Sequence, residues 1–132
     1  EYQSNMSLWA IMAAPPIASN DLRSMNAATK RILLNKEVIA IDQDPLGKQG
    51  ERRVAEDDWN VFVKPMANGD VAVAILNRSE ARRDYRVEWA DLGLPGEYEI
   101  RDLWQHKPLA PQRGRYAAEV PAHGVVVVKL QP

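Results

Sequence analysis

At 132 residues the chain has room for one ordinary domain, or for a small domain with an appendage, and falls well short of the roughly 250 residues of a complete (β/α)8 barrel. Charged residues make up 27% of it and the formal net charge is -1, so it carries no strong field that would draw nucleic acid or an anionic membrane. It contains no cysteine, which excludes disulfides, thiol catalysis and thiolate metal sites together, and no apolar run approaches the roughly 20 residues of a membrane-spanning helix.

The opening Glu1-Tyr2-Gln3-Ser4-Asn5 lacks the basic start and apolar core of a signal peptide and reads as a cut edge inside a longer protein. Tyr2, Met6, Trp9 and Met12 or Ala13 recur at helical spacing, with Leu8 and Ile11 widening the stripe, until Pro15-Pro16 forbids continuation. This predicts a helix over residues 2–13, buried around much of its circumference. Pro16-Ile17-Ala18-Ser19 is apolar and bracketed by proline and by the turn formers Asn20 and Asp21, which suits a brief buried strand. Asn26 is placed to cap a helix over residues 27–35, with Ile32, Leu33 and Leu34 as its apolar side. Helix, strand, helix is the rhythm of an α/β unit. Residues 37–41 suit a strand by residue type, through Val38, Ile39 and Ile41, and equally a continued helical turn. Gln43-Asp44-Pro45-Leu46-Gly47 is a turn, and it divides the chain into residues 1–46 and 47–132.

After Gly50 the pattern becomes short runs of β-branched and aromatic residues between turn signals. Trp59 to Lys64, then Asn68-Gly69-Asp70, then Val71 to Leu76 predict a hairpin whose turn needs positive φ. Alternation marks further strands at residues 85–89, 98–104, 116–120 and 125–130, with Arg53-Val54 as an extra. That is about seven strands in roughly 80 residues, the spacing of an antiparallel sandwich. The fold class is therefore α+β, a helix-strand-helix segment followed by a β-sandwich.

Three blocks carry a resemblance. They are Ser7-Leu8-Trp9-Ala10-Ile11-Met12-Ala13-Ala14-Pro15, Ser19-Asn20-Asp21-Leu22-Arg23, and Asn35-Lys36-Glu37-Val38-Ile39-Ala40-Ile41-Asp42-Gln43-Asp44-Pro45-Leu46-Gly47. In this order they resemble the melibiase family, the α-galactosidases and α-N-acetylgalactosaminidases. Arg101-Asp102-Leu103-Trp104 and Val120-Pro121-Ala122-His123-Gly124-Val125 extend the likeness to the end of the chain. The resemblance implies that residues 1–46 are the last helix-strand-helix of a (β/α)8 barrel, that residues 47–132 are a C-terminal antiparallel β-domain, and that residues 37–41 are helical. It also implies a retaining hydrolase of terminal α-galactosides, often secreted or lysosomal, working with one aspartate as nucleophile and another as acid/base. Both of those aspartates lie in motifs on earlier barrel strands with no counterpart here. No catalytic residue carries over, and the chain alone is expected to be inactive. No cofactor is implied. The expected partners are an α-galactoside reached through the parent enzyme, and either the remainder of the barrel or a second copy of the chain.

Barrel active sites sit at the C-terminal ends of the strands, which is where Ser19, Asn20 and Asp21 would fall as a substrate-pocket loop. Capping, and pairing of Asp21 with Arg23 beneath the pocket, is favoured over direct contact with sugar. Trp59, Trp89 and Trp104 are candidates for a sugar-stacking platform, although one large aromatic per strand in a small sandwich more commonly belongs to the core. A non-catalytic carbohydrate-binding or bracing module is thus the alternative function, and exposure of the three tryptophans discriminates between its two forms. His106 and His123 stand alone in turns without metal-ligand spacing, and Asp42, Asp44, Asp57 and Asp58 suit capping and turns better than calcium. Arg52, Arg53, Arg82 and Arg83 are balanced by Glu51, Glu80 and Asp84, giving a mixed-charge surface.

Overall fold

A computed structural model of the protein describes residues 2–15 and 23–132. Helix α1 spans Tyr2–Ile11, α2 Ala27–Leu33 and α3 Lys36–Asp42. Eight strands follow among the described residues: β1 Glu51–Ala55, β2 Trp59–Pro65, β3 Val71–Asn77, β4 Arg83–Glu88, β5 Glu99–Asp102, β6 Lys107–Leu109, β7 Arg115–Val120 and β8 Val125–Gln131. They form an antiparallel sandwich of unequal layers, a six-stranded sheet in the order β1-β2-β3-β8-β5-β6 facing the pair β4-β7.

Helix α1 stops at Ile11, short of the expected residue 13, because Ala13 takes a left-handed φ of 51° before the prolines. Its buried face is Ser4, Met6, Ser7, Ala10 and Ile11, which takes in only part of the large stripe. Of that stripe Met6 and Ile11 are enclosed, while Tyr2, Trp9 and Met12 look outward. The expected strand from Pro16 and the Ser19-Asn20-Asp21 loop lie outside the described residues. The helix expected over 27–35 is two helices. Leu34 closes α2, and Asn35 starts α3 by accepting from the amides of Glu37 and Val38 at 3.1 and 3.2 Å. Residues 37–41 are accordingly helical. Asn26 does cap α2, its side chain accepting from the Thr29 amide at 2.8 Å.

The predicted hairpin is β2–β3, in register from Trp59 opposite Asn77 to Pro65 opposite Val71, and its turn holds Gly69 at φ 90°. Strand β6 has no sequence signature of its own: it is three residues long, has Pro108 at its centre, and pairs only at the sheet edge with β5.

Period-2 alternation sends the residues of β3 to two different cores. Val73 and Ile75 enter the inner core between the layers with Val61, Tyr85, Val87, Trp89, Tyr116 and Val128. Ala72 and Ala74 enter an outer core with Met6, Ala10, Ile11, Val38, Ile41, Leu103, Val125 and Val127. The six-stranded sheet is thus covered on both faces, and the small alanines on its outer face let α1 approach β3 closely.

Candidate functional site

The helices meet the sandwich in a polar seam that borders a cleft of about 800 Å³, whose walls include Arg31, Asn35, Lys36, Glu37, Trp104 and His106. Glu37 enters from the first turn of α3 and Arg101 from β5, and their forked pairing puts Nε 2.7 Å from Oε2 and Nη2 2.8 Å from Oε1. His106, in the turn after β5 at a φ of 54°, brings Nδ1 within 2.9 Å of Glu37 Oε1. Its carbonyl accepts from Arg101 Nη2 at 3.1 Å. The hydrogen bond from Arg101, with His106 adding to it against the opposing effect of burial, brings the Glu37 carboxyl down to about 2. The Arg101 guanidinium is held more firmly protonated in return, chiefly by that same bond to Glu37.

Chemically this cluster is a clamp. Retaining glycoside hydrolysis needs two carboxyl groups about 5–5.5 Å apart, one of them holding a proton to deliver. Glu37 is ionised throughout the neutral range, both of its oxygens are occupied, and it is the one carboxylate among the cleft's described lining residues.

Trp104 lines the cleft half-buried, its ring fixed by Nε1 donating to Ser7 Oγ at 2.9 Å and its amide donating to Asp102 Oδ1 at 2.9 Å. Trp59 lies elsewhere, with one face stacked on Tyr85 at a centroid distance of 4.7 Å. Trp89 is 1% exposed in the inner core, edge-on to Tyr98 at 6.0 Å, and offers no face to a sugar. The three tryptophans are therefore not brought together into a platform, and stacking by Trp89 is corrected to core packing, because its position on the inner side of the β4 end closes the sandwich. Asp44 serves a turn, accepting from the amides of Leu46 and Ala67, and His123 contacts Glu80 at 3.1 Å. Among the described residues no group of three or more His, Cys, Asp or Glu side chains could hold a metal ion.

Two buried polar residues escaped sequence reasoning because each looks like an ordinary strand residue. Lys64 is 0% exposed, and its Nζ donates to the carbonyls of Ala10 at 3.3 Å and Ile41 at 2.6 Å. Burial pushes its ammonium below lysine's ordinary range, while Asp42 and Asp44 pull it back up. The only hint in sequence was that it is a charged residue interrupting an apolar strand next to Phe62 and Val63. Asn77 is also 0% exposed: its Oδ1 accepts from Tyr85 Oη at 2.8 Å and its Nδ2 donates to Ala81, Val120 and Pro121 carbonyls, pinning the two layers together.

Residues 56–130 match the family model described as the α-galactosidase C-terminal β-sandwich domain, and residues 1–44 match that of α-galactosidase A. α-Galactosidase A of Cellvibrio japonicus is 38% identical over 143 aligned positions, covering 100% of this chain and 35% of the relative. Among solved structures, α-galactosidase I from Mortierella vinacea superposes with a TM-score of 0.93 at 32% identity, covering 98% of this chain and 34% of that one. A β-L-arabinopyranosidase from Geobacillus stearothermophilus superposes with a TM-score of 0.92 at 31% identity, covering 98% and 29%. The chain spans about a third of the length of these proteins.

Proposed function

This chain belongs to the α-galactosidase family, with the family's C-terminal β-sandwich over residues 56–130, and from that premise we propose that it is the closing part of a retaining hydrolase of terminal α-galactosides. The observation that carries the reading is the order of the two family matches along the whole chain, set against relatives about three times as long. In this reading residues 1–46 complete a (β/α)8 barrel, residues 47–132 are the sandwich, and the carboxylate pair comes from preceding sequence. Ser19, Asn20 and Asp21 belong to the loop under the sugar, with Asp21 ordering it through its neighbours. The outward-facing Tyr2, Trp9, Met12 and Leu34 pack against the rest of the barrel, a covering for large apolar side chains that are 62%, 41%, 37% and 67% exposed.

The sandwich acts as a brace. Support comes from the outer face of its large sheet, which is spent on α1 and α3, and from the absence of a shared open face for Trp59, Trp89 and Trp104.

The test is a chimera in which this chain replaces the last third of the Cellvibrio japonicus enzyme, assayed beside the chain alone on aryl α-galactoside and aryl β-L-arabinopyranoside. Turnover of the α-galactoside with retained configuration by the chimera, and none by the isolated chain, is expected. Activity of the isolated chain that survives Asp21→Ala would overturn the reading, and a chimera specific for the arabinopyranoside would replace the substrate.

A further inference from the structure

The seam between helices and sandwich has a property that neither segment has by itself. Helix α1 has ten residues and α3 seven, both below the roughly 12–15 at which an isolated helix becomes even marginal in water. Their apolar side chains Met6, Ile11, Val38 and Ile41 are buried in the core whose other half is the outer face of the sheet. That face depends on them in turn, since without the helices Ala72, Ala74, Val125 and Val127 would form a continuous apolar patch in water.

Polar contacts fasten both ends of the joint. At one end Ser4 Oγ donates to the His123 carbonyl at 2.8 Å, Trp104 Nε1 to Ser7 Oγ at 2.9 Å, and Asn35 Nδ2 to the Leu103 carbonyl at 2.9 Å. At the other end the ammonium of Lys64 reaches carbonyls in the last turns of α1 and α3 together, where the dipoles of both helices favour a cation. Beside it the Gly50 amide donates to the Ile11 carbonyl at 2.7 Å, so close that a Cβ on residue 50 would sit 2.8 Å from that oxygen. Helix α2 is held more weakly: it fully buries no residue, its Ile32 and Leu33 are only partly buried against the same core, and its capping contact is exposed.

We infer that the outer face of the sandwich is the template on which α1 and α3 fold, so that these helices and the sandwich form one cooperative unit closed by Lys64, with α2 outside it. The cooperative boundary then runs between α2 and the remainder of the chain, not through the 43–47 turn that separates barrel from sandwich. The sandwich holds the last helices of the barrel in place for the preceding strands to join. The inference concerns the chain itself and does not depend on the activity proposed above.

Native-state hydrogen exchange on the full 132-residue chain, read by mass spectrometry, tests it. Amides of α1 and α3 are expected to open with the same free energy as those of β3, and amides of α2 faster. In Lys64→Met the protection of α1, α3 and β3 should fall together, by about 100-fold, because two carbonyls lose a buried charged donor. Should that variant fail to fold, Gly50→Ala gives the same readout at the neighbouring contact, and the comparison of segments within the unaltered chain decides without either. Exchange of α1 and α3 that is 100-fold or more faster than that of β3, or a variant that loosens the helices and leaves β3 untouched, would overturn the inference.

Discussion

The two faces of the six-stranded sheet are both buried, and they are built differently. The inner face meets β4 and β7 through Val61, Val73, Ile75 and Val128, with large aromatics opposite, and Asn77 pins its rim. The outer face meets α1 through the small side chains of Ala72 and Ala74, while Lys64 and the Glu37–Arg101 pair reach α3. Buried apolar area dominates the inner face, with Asn77 fixing its rim, whereas on the outer face a buried ammonium and a close backbone approach constrain how the helices dock. The lesson is that one strand can carry a generic core on one side and a specific joint on the other, because successive side chains alternate.

Substitutions separate the two faces. Removing the largest inner side chain, Trp89→Ala, should cost about 4 kcal/mol, a large share of the roughly 5–15 kcal/mol that holds a domain folded, as read from urea unfolding. A loss below about 1 kcal/mol would mean that the inner core is not centred on Trp89. On the outer face, enlargement does the damage: Ala74→Leu should cost about 2 kcal/mol by forcing α1 away from β3. A midpoint unchanged from that of an exposed-site control would show that the helices ride loosely on the sheet.

The smallest effect belongs to the border. Glu37 has its carboxyl lowered from 4.5 to about 2, so its pairing with Arg101 and His106 stabilises the folded chain above pH 4.5, and that stability is lost as pH falls through about 2. Allowing for solvent screening of a partly exposed pair, the contribution is about 1 kcal/mol at neutral pH. Unfolding free energies compared between the chain and Glu37→Gln should differ by that amount at pH 7 and converge at pH 2. A constant difference across the range would detach the effect from ionisation of Glu37.

Much of this architecture is legible in the residue order. Strands β2, β3, β7 and β8 declare themselves by alternation and by the Asn68-Gly69 turn, since period-2 burial is written directly into residue order. The three dense blocks from Ser7 to Gly47 were enough for the family, and the absence of a matching carboxylate pair was enough to expect that catalysis lies elsewhere. The break between α2 and α3 was missed because Asn35 is an acceptable helix residue by composition and becomes a cap only when its amide side chain is drawn to Leu103, 68 positions away. The buried face of α1 is expected at its large side chains, and Met6 and Ile11 are buried there, but Ser4, Ser7 and Ala10 complete that face while Tyr2, Trp9 and Met12 are exposed, because close approach to Ala72 and Ala74 leaves room for small residues.

By itself the sequence determined most of the strands, the β2–β3 hairpin and the family, all of which depend on local spacing or on contiguous strings. Only the tertiary structure decided that Lys64 is buried across two helix ends, that Glu37 is clamped by Arg101, and that Trp59, Trp89 and Trp104 point to separate places. Those outcomes depend on groups dozens of residues apart meeting at hydrogen-bond distance, and neither periodicity nor propensity encodes which distant carbonyl a lysine will reach.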